Sequence, residues 1–276
     1  MPELPEVESL RRLLARSVVG RTIVAAVVKE ARLRRIVAPD LAVTIIGRTI
    51  EAIGRRAKYL LIELSGGYVL MVHLGMSGSL THRGAAFGDP LNARHDHVEL
   101  TLDDGSHLVY NDPRRFGLMV LLSPGEIETL AELKDLGPEP FAKEFNADYL
   151  WRISRGRKGA IKNLLMDQRI VAGVGNIYAS EILFRARVRP TRRAGRVTRV
   201  EFARIAEKTA EVLREAVGSR GTTIISYRDS QGQPGGFATK LRAYDRGGEP
   251  CLECTTPIRQ IVIGQRSSFY CPRCQK

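Results

Sequence analysis

The sequence predicts an α+β multidomain protein, with an N-terminal helix and β-sandwich, a helical domain, and a short C-terminal hairpin carrying four cysteines. Three observations carry this. Short β-like runs recur between turn signals through residues 22–122, helical spacing replaces them beyond residue 150, and every cysteine falls within the last 26 residues. The shifts in pattern place boundaries at 1–133, 134–240 and 241–276.

Pro5 to Val18 reads as a helix, with Val7, Leu10, Leu13 and Leu14 on one face and Gly20 just past its end. The β-like runs are Thr22–Val28, Thr49–Ile53, Tyr59–Leu64, Tyr68–Leu74, His97–Leu102, His107–Tyr110 and Leu118–Leu122. Ser65-Gly66-Gly67 and Asp103-Asp104-Gly105 are turn signals between neighbouring runs, so hairpins are expected. Many short strands at this spacing indicate a sandwich or barrel. Leu133–Phe141, with Gly137, Pro138 and Pro140, reads as a linker. Ala160–Met166, Ile177–Arg185 and Arg199–Val217 then have helical spacing. Gly221 to Gly236 is a long polar stretch, and loops of that length are usually functional. Ile258–Ile263 and Ser267–Tyr270 should pair across Gly264-Gln265, with Arg266 at or near the tip.

The net charge of +13 is concentrated. Residues 1–150 hold 18 Lys and Arg against 20 Asp and Glu, whereas residues 151–276 hold 25 against 10. Clustered cations suit a polyphosphate, because counterion release supplies much of the affinity. An anionic membrane surface usually needs a basic amphipathic helix with a bulky aromatic face, which is missing here. No apolar run is long enough to cross a bilayer and the N-terminus does not resemble a signal peptide, so a soluble cytoplasmic protein is expected.

Cys251-x2-Cys254 and Cys271-x2-Cys274 are two knuckles separated by sixteen residues. Each offers two thiolates from a tight turn, and together they make a tetrahedral site for one structural zinc ion.

Several stretches can carry chemistry. If Met1 is removed, Pro2 becomes a free secondary amine beside Glu3. At pH 7 roughly 10% of a terminal amine is neutral, against about 0.04% of a lysine, so Pro2 can act as a nucleophile and Glu3 as its proton-transfer partner. The same residues also read as N-terminal punctuation, with Pro5 in the first turn of a helix. Arg55-Arg56-Ala57-Lys58-Tyr59 is a solvated basic turn unless Lys58 points toward Pro2, where its ammonium would favour the neutral amine. Asp112-Pro113-Arg114-Arg115-Phe116-Gly117 places two arginines and a ring on a turn. On DNA the arginines would hold phosphate or an orphaned base, while Phe116 wedges between base pairs. Met76, in His73-Leu74-Gly75-Met76-Ser77-Gly78, reads as core or as a filler of the space left by an extruded nucleotide. Gly173-Val174-Gly175-Asn176 opens a helix whose N-terminus suits phosphate, with Arg157, Lys158 and Lys162 upstream. His95 and His97, two apart in a strand, should share a face as a polar surface pair or phosphate contact.

Taken together, these motifs resemble the formamidopyrimidine-DNA glycosylase family of bacterial DNA repair enzymes, essentially from end to end. The resemblance rests on Pro2–Glu8, Arg56–Leu61, His73–Gly78, Asp112–Gly117, Gly173–Glu181 and the terminal cysteine knuckles. It implies a β-sandwich, a helical domain with a helix–two-turn–helix motif, and a zinc-finger hairpin. It further implies a monomeric, nucleoid-associated enzyme acting on double-stranded DNA that contains oxidised purines or abasic sites. Pro2 would form a Schiff base with C1′ of the sugar, and Glu3 would be the general acid. Lys58 would assist β-elimination, and Arg266 would support δ-elimination and grip phosphate. Met76, Arg114 and Phe116 fall on void-filling and wedge positions, and His73, His95, Arg157, Lys162 and Asn176 on or beside DNA-contacting ones. Thr222–Gly232 corresponds to the family's loop over the flipped base. The alternatives are an endonuclease VIII-type glycosylase for oxidised pyrimidines and a zinc-ribbon DNA-binding protein without catalysis. The second leaves Pro2-Glu3 and Lys58 without a purpose.

Overall fold

The first helix, α1 (Leu4–Val18), begins where its sequence offers a cap. Glu3 donates its backbone N–H to Glu6 Oε2 at 2.7 Å, and Pro5 occupies the first turn, where a missing N–H costs nothing. Its buried face, including Val7, Leu10, Leu14 and Val18, enters the core of a two-sheet sandwich. This is a computed structural model, and it describes residues 1–85, 93–222 and 235–276.

The chain continues through β1 (Ile23–Val28), α2 (Leu41–Ile45), β2 (Ile50–Arg56), β3 (Tyr59–Leu64), β4 (Tyr68–His73), β5 (Ser79–Arg83), β6 (Asp96–Leu102), β7 (His107–Asn111), β8 (Leu118–Leu122) and α3 (Ala131–Lys134). One antiparallel sheet has the order β1-β6-β7-β5 and the other β2-β3-β4-β8. Alternate residues, such as Leu60, Ile62 and Leu64 on β3 and Val98, Leu100 and Leu102 on β6, point into the shared core. The expected strands are present, β3 and β8 with the expected ends and the others with ends shifted by one to three residues. The sequence does not single out α2 or β5. Each is five residues long, and β5 contributes a single core side chain, Leu80.

The second half is built from α4 (Ala147–Ser154), α5 (Ile161–Met166), α6 (Asn176–Arg185), α7 (Arg199–Gly218) and the hairpin β9 (Arg259–Ile263) and β10 (Arg266–Tyr270). α7 presents Phe202, Ile205, Val212 and Leu213 to a core shared with Ile182 and Leu183 of α6. α4, which the sequence also leaves unmarked, is capped by Asn146, whose Oδ1 accepts from Tyr149 N at 2.9 Å. Gly264 and Gln265 at the hairpin turn have φ of 56° and 60°, the left-handed pair of a tight two-residue turn. Glu181 on α6 is fully buried and accepts the backbone N–H groups of Arg242, Ala243 and Tyr244, which fixes the segment leading into the hairpin.

The chain divides into two compact units, Met1–Lys134 with Ser219–Gly236, and Asp135–Gly218 with Phe237–Lys276. Of the stretch from Gly221 to Gly236, residues 223–234 lie outside the described residues. Among those described, no helix is long and apolar enough to cross a membrane.

Glu8 joins α1 to the β2–β3 hairpin. Its carboxylate pairs with Arg11 at 2.8 Å, Arg12 at 2.8 Å and Arg55 at 3.2 Å, and Arg55 also donates to Ala57 O at 2.8 Å. Burial works against ionisation of Glu8, but the three guanidinium groups outweigh it and hold the pKa down to about 2. A depressed folded-state pKa gives stability that is present above about 4.5 and lost as pH falls toward about 2. Glu8→Gln should therefore cost about 1.5–3 kcal/mol at pH 7. In denaturant titrations its curve and that of the parent should converge across this acid window.

Candidate active site and nucleic-acid interface

Pro2 is buried, whereas Met1 before it is 44% exposed. Glu3 and Glu6 are buried as well. Glu6 carries two connections, because the carboxylate that accepts Glu3 N also accepts Thr222 N through Oε1 at 2.6 Å. The start of α1 and the described base of the 222–235 stretch are thus held by one side chain.

Lys58 is buried at the β2–β3 turn, where Ala57 takes a φ of 52°. The Glu8–Arg55–Ala57 relay ties this turn to α1, the helix that starts at the Pro2-Glu3 end. His73 on β4 lies in the field of Lys58. Burial, then the positive charges of Lys58 and Arg34, press its pKa down to about 4, so the imidazole is neutral at pH 7. Gly75 N donates to His73 Nδ1 at 3.0 Å, which leaves the proton on Nε2. The ring packs against Tyr59 with centroids 4.9 Å apart. His73 can therefore contact a phosphate as a neutral N–H donor.

The Met76 turn and the Arg114–Phe116 turn are built on one buried carboxylate. Asp112 Oδ1 accepts from Ser77 Oγ at 2.6 Å and Arg114 N at 3.3 Å, while Oδ2 accepts from Gly117 N at 2.8 Å and Tyr110 OH at 3.3 Å. Burial and the neighbouring Asp112 push the Tyr110 pKa up, so its hydroxyl stays a donor. The two turns touch so closely that a Cβ on Gly75 would lie 2.5 Å from the Phe116 carbonyl carbon, and one on Gly117 would lie 1.7 Å from Tyr110 OH. On this base Phe116 stands 49% exposed, with the Arg114 guanidinium 4.6 Å from its ring centroid. Met76 is half-buried beside them. Arg115 differs from its neighbour, since it pairs with Glu30 at 3.1 Å.

The expected His95–His97 surface pair is not formed. His95 ends a short 3-10 turn just before β6, and a bulge interrupts β6 between Asp96 and Val98, so strand alternation does not link the two. His97 is buried and bonds Asp112 O through Nε2 at 2.8 Å, whereas His95 remains partly exposed.

In the second unit Arg157 is exposed on the loop after α4, with Nε donating to Ile153 O at 2.8 Å. Asn176 is the first residue of α6, and its Oδ1 is shielded from water without a hydrogen-bond partner. Arg266 is exposed at the first position of β10. Lys162 corrects the expectation of a DNA-facing lysine. It is fully buried, and Nζ donates to Ser267 O at 2.9 Å and Ser268 Oγ at 2.7 Å. It anchors the strand that begins at Arg266.

The four cysteines converge. Their Sγ atoms all lie within 4.8 Å of one another, with separations of 4.0 Å for Cys251–Cys274, 3.5 Å for Cys254–Cys271 and 3.4 Å for Cys254–Cys274. A tetrahedral zinc ion with Zn–S bonds of about 2.3 Å requires sulfur separations of about 3.8 Å, so this donor set fits zinc. Cys251, Cys254, Cys271 and Cys274 would hold the ion, which supplies a structural cross-link at the base of the hairpin.

Ser77, Tyr110, Glu6 and Glu181 are supporting residues that sequence reasoning does not single out. Only Asp112, an acid set between an apolar strand and a proline, leaves a local signal.

Comparison with known proteins identifies the class to which this two-sheet unit, helical unit and four-thiolate hairpin belong. The sequence matches the formamidopyrimidine-DNA glycosylase N-terminal domain over residues 1–119, the H2TH domain of the same enzymes over 136–228, and the zinc finger found in FPG and IleRS over 248–276. The formamidopyrimidine-DNA glycosylase of Syntrophotalea carbinolica is 50% identical over 276 residues, and that of Pectobacterium atrosepticum 47% over 275, each match covering the whole of both chains. A Lactococcus lactis Fpg variant, solved with DNA containing Fapy-dG, superposes with a TM-score of 0.91 at 30% identity over all of both chains. The MutM (Fpg) protein of Thermus thermophilus gives 0.88 at 39%, covering 99% of this chain and 98% of that one. The chain belongs to the formamidopyrimidine-DNA glycosylase family.

Replacing Cys271 by Ser should abolish stoichiometric zinc in elemental analysis. DNA affinity should fall with it, because the hairpin loses the cross-link that orients Arg266. Full affinity in a zinc-free protein would refute that dependence.

Proposed function

We propose that this protein is a base-excision repair enzyme that removes oxidised purines, 8-oxoguanine and formamidopyrimidines, through a Schiff base at Pro2 and then cleaves the DNA strand. Its class, a bifunctional DNA glycosylase and abasic-site lyase, follows from its family. The observation that carries the reading is the whole-length match to that family together with Pro2-Glu3 placed at a capped, buried helix start.

Removal of Met1 converts the Pro2 nitrogen from an amide into a secondary amine with a usable lone pair. The amine attacks C1′ as the bond from C1′ to the damaged base breaks, and the base leaves with the amine proton. The nitrogen lone pair then expels O4′, which Glu3 protonates, so that the ring opens and an iminium forms at C1′. The resulting iminium acidifies the proton on C2′. Lys58 assists its loss as the C3′–O bond breaks, and elimination at the C5′–O bond follows with Arg266 supporting the phosphate. Met76 and Phe116 fill the gap left by the extruded nucleotide, and Arg114 faces the orphaned base. His73, His95, Arg157 and Asn176 contact the backbone. Lys162 acts on DNA only by holding the Arg266 strand. In this reading residues 1–133 carry the chemistry, 134–240 and 241–276 grip the duplex, and the protein works in the cytoplasm as a monomer.

Relatives from Lactococcus lactis have been crystallised with abasic-site DNA and with DNA containing an oxidised pyrimidine. An oxidised pyrimidine therefore belongs in the test beside 8-oxoguanine. Borohydride reduction during turnover should leave a sugar adduct on Pro2, and a chain with an uncleavable N-terminal extension should give none. Mapping of the adduct to Lys58 would exchange the roles assigned here, and thymine glycol excised faster than 8-oxoguanine would favour the pyrimidine reading.

Phe116→Ala should slow excision of a base-paired lesion about tenfold for each 1.4 kcal/mol of unstacking left uncompensated. Non-specific affinity and its salt slope should stay nearly unchanged. Equal losses on damaged and undamaged DNA would make Phe116 a packing residue.

A further inference from the structure

The arginines of the second unit are not evenly spread. The connection between α6 and α7 and the outer face of α4 form an open depression lined by Trp151, Arg155, Arg192, Arg193, Arg196 and Arg199, with no acidic residue in its lining. Arg192 and Arg199 are partly neutralised by Glu201 and Asp148. Arg155 is held by neutral groups, donating to Val197 O at 2.9 Å and Ser154 Oγ at 2.8 Å, with its guanidinium 5.0 Å from the Trp151 ring centroid. Arg193 and Arg196 lie at the surface, and no side-chain hydrogen bond or ion pair engages either among the described residues. Three positive charges thus remain uncompensated on one small surface.

The loop beneath them is firmly held. Ala194 and Val197 are buried in the helical core, which leaves Arg193, before Ala194, and Arg196, before Val197, facing outward. The loop is also stitched to the segment that carries Arg157 and Lys158, through Gly195 N to Arg157 O at 3.0 Å, Ala194 N to Gly159 O at 2.8 Å and a β-bridge between Arg193 and Ala160. A Cβ on Gly195 would lie 2.9 Å from Arg157 O, so the two segments are in direct contact. The depression therefore continues the surface on which Arg157 stands.

We propose that Arg193 and Arg196, with Arg155 behind them, form a phosphate track that holds the DNA duplex further along its length than the phosphates held by Arg157. The inference rests on the reading of Arg157 as a backbone contact. A single strand would use Trp151 as a stacking platform, but the Arg155 guanidinium lies over one face of that ring, and the remaining groups of the depression are guanidinium groups suited to phosphates. A track of this kind carries no sequence information and raises affinity for long duplex in proportion to the charges it neutralises.

The test compares the parent protein with Arg193→Ala/Arg196→Ala on duplexes lengthened from about one helical turn to about four, each centred on an abasic-site analogue. On the long duplex the slope of log affinity against log salt should drop by about 1.8, the value for two lost phosphate contacts. Affinity for the one-turn duplex should be unchanged, as should zinc content, thermal melting and the single-turnover excision rate on a one-turn lesion duplex. Equal weakening at both lengths, no change at either, or a loss confined to single-stranded DNA would each overturn the proposal. Arg157→Ala serves as a separate arm. If it leaves the one-turn duplex unaffected, the reading of Arg157 fails, whatever the double variant does on long DNA.

Discussion

An ionised group taken out of water costs several kcal/mol unless its hydrogen-bonding capacity is met inside the protein. This enzyme meets that demand with groups from distant parts of the chain, and the working loops are set by the result. Asp112 gathers Ser77, Tyr110, Arg114 and Gly117. Glu6 gathers Glu3 and Thr222, Lys162 gathers Ser267 and Ser268, and Glu181 gathers residues 242–244. In each case a buried acidic or basic side chain captures a loop from a distant part of the chain. Deleting one partner leaves a buried polar group with unmet hydrogen bonds, which makes these positions sensitive.

The same arrangement separates rigid from yielding parts. Phe116 and Arg114 project from a base with no room for a single added carbon at Gly75 or Gly117. The close contact of the two turns makes this base unyielding, which the wedge role proposed for Phe116 requires. His73 illustrates a second use of burial, since low solvation and the charge of Lys58 keep it neutral and a hydrogen-bond donor at physiological pH.

Much of this is legible in the sequence because the signals are local. The amphipathic pattern of α1, the turn at Gly264-Gln265 and the two cysteine knuckles each depend on residues close together in the chain. Lys162 misleads for the opposite reason. A lysine beside Arg157 and Lys158 looks solvent-facing by type, and only the tertiary position of Ser267 and Ser268, about a hundred residues away, turns it inward. His97 misleads because a bulge, invisible in the alternation of side chains, breaks the strand geometry on which a shared face depends. Asp112 looks like a turn residue, and nothing local announces that a hydroxyl from Ser77 and another from Tyr110 will converge on it.

Residues 219–236 belong to the same compact unit as residues 1–134. The backbone therefore passes between the two units three times, after Lys134, after Gly218 and after Gly236. The modules are interleaved in sequence and are not beads on a string. A fragment ending at Lys134 would keep every strand of the sandwich yet take the Thr222 amide away from Glu6 in the first turn of α1. Dissection of such a protein is better done by inserting cuts inside loops than by truncating at a boundary. By the same logic, a change in the helical half can reach the start of α1 through the chain that continues past Gly218 to Thr222.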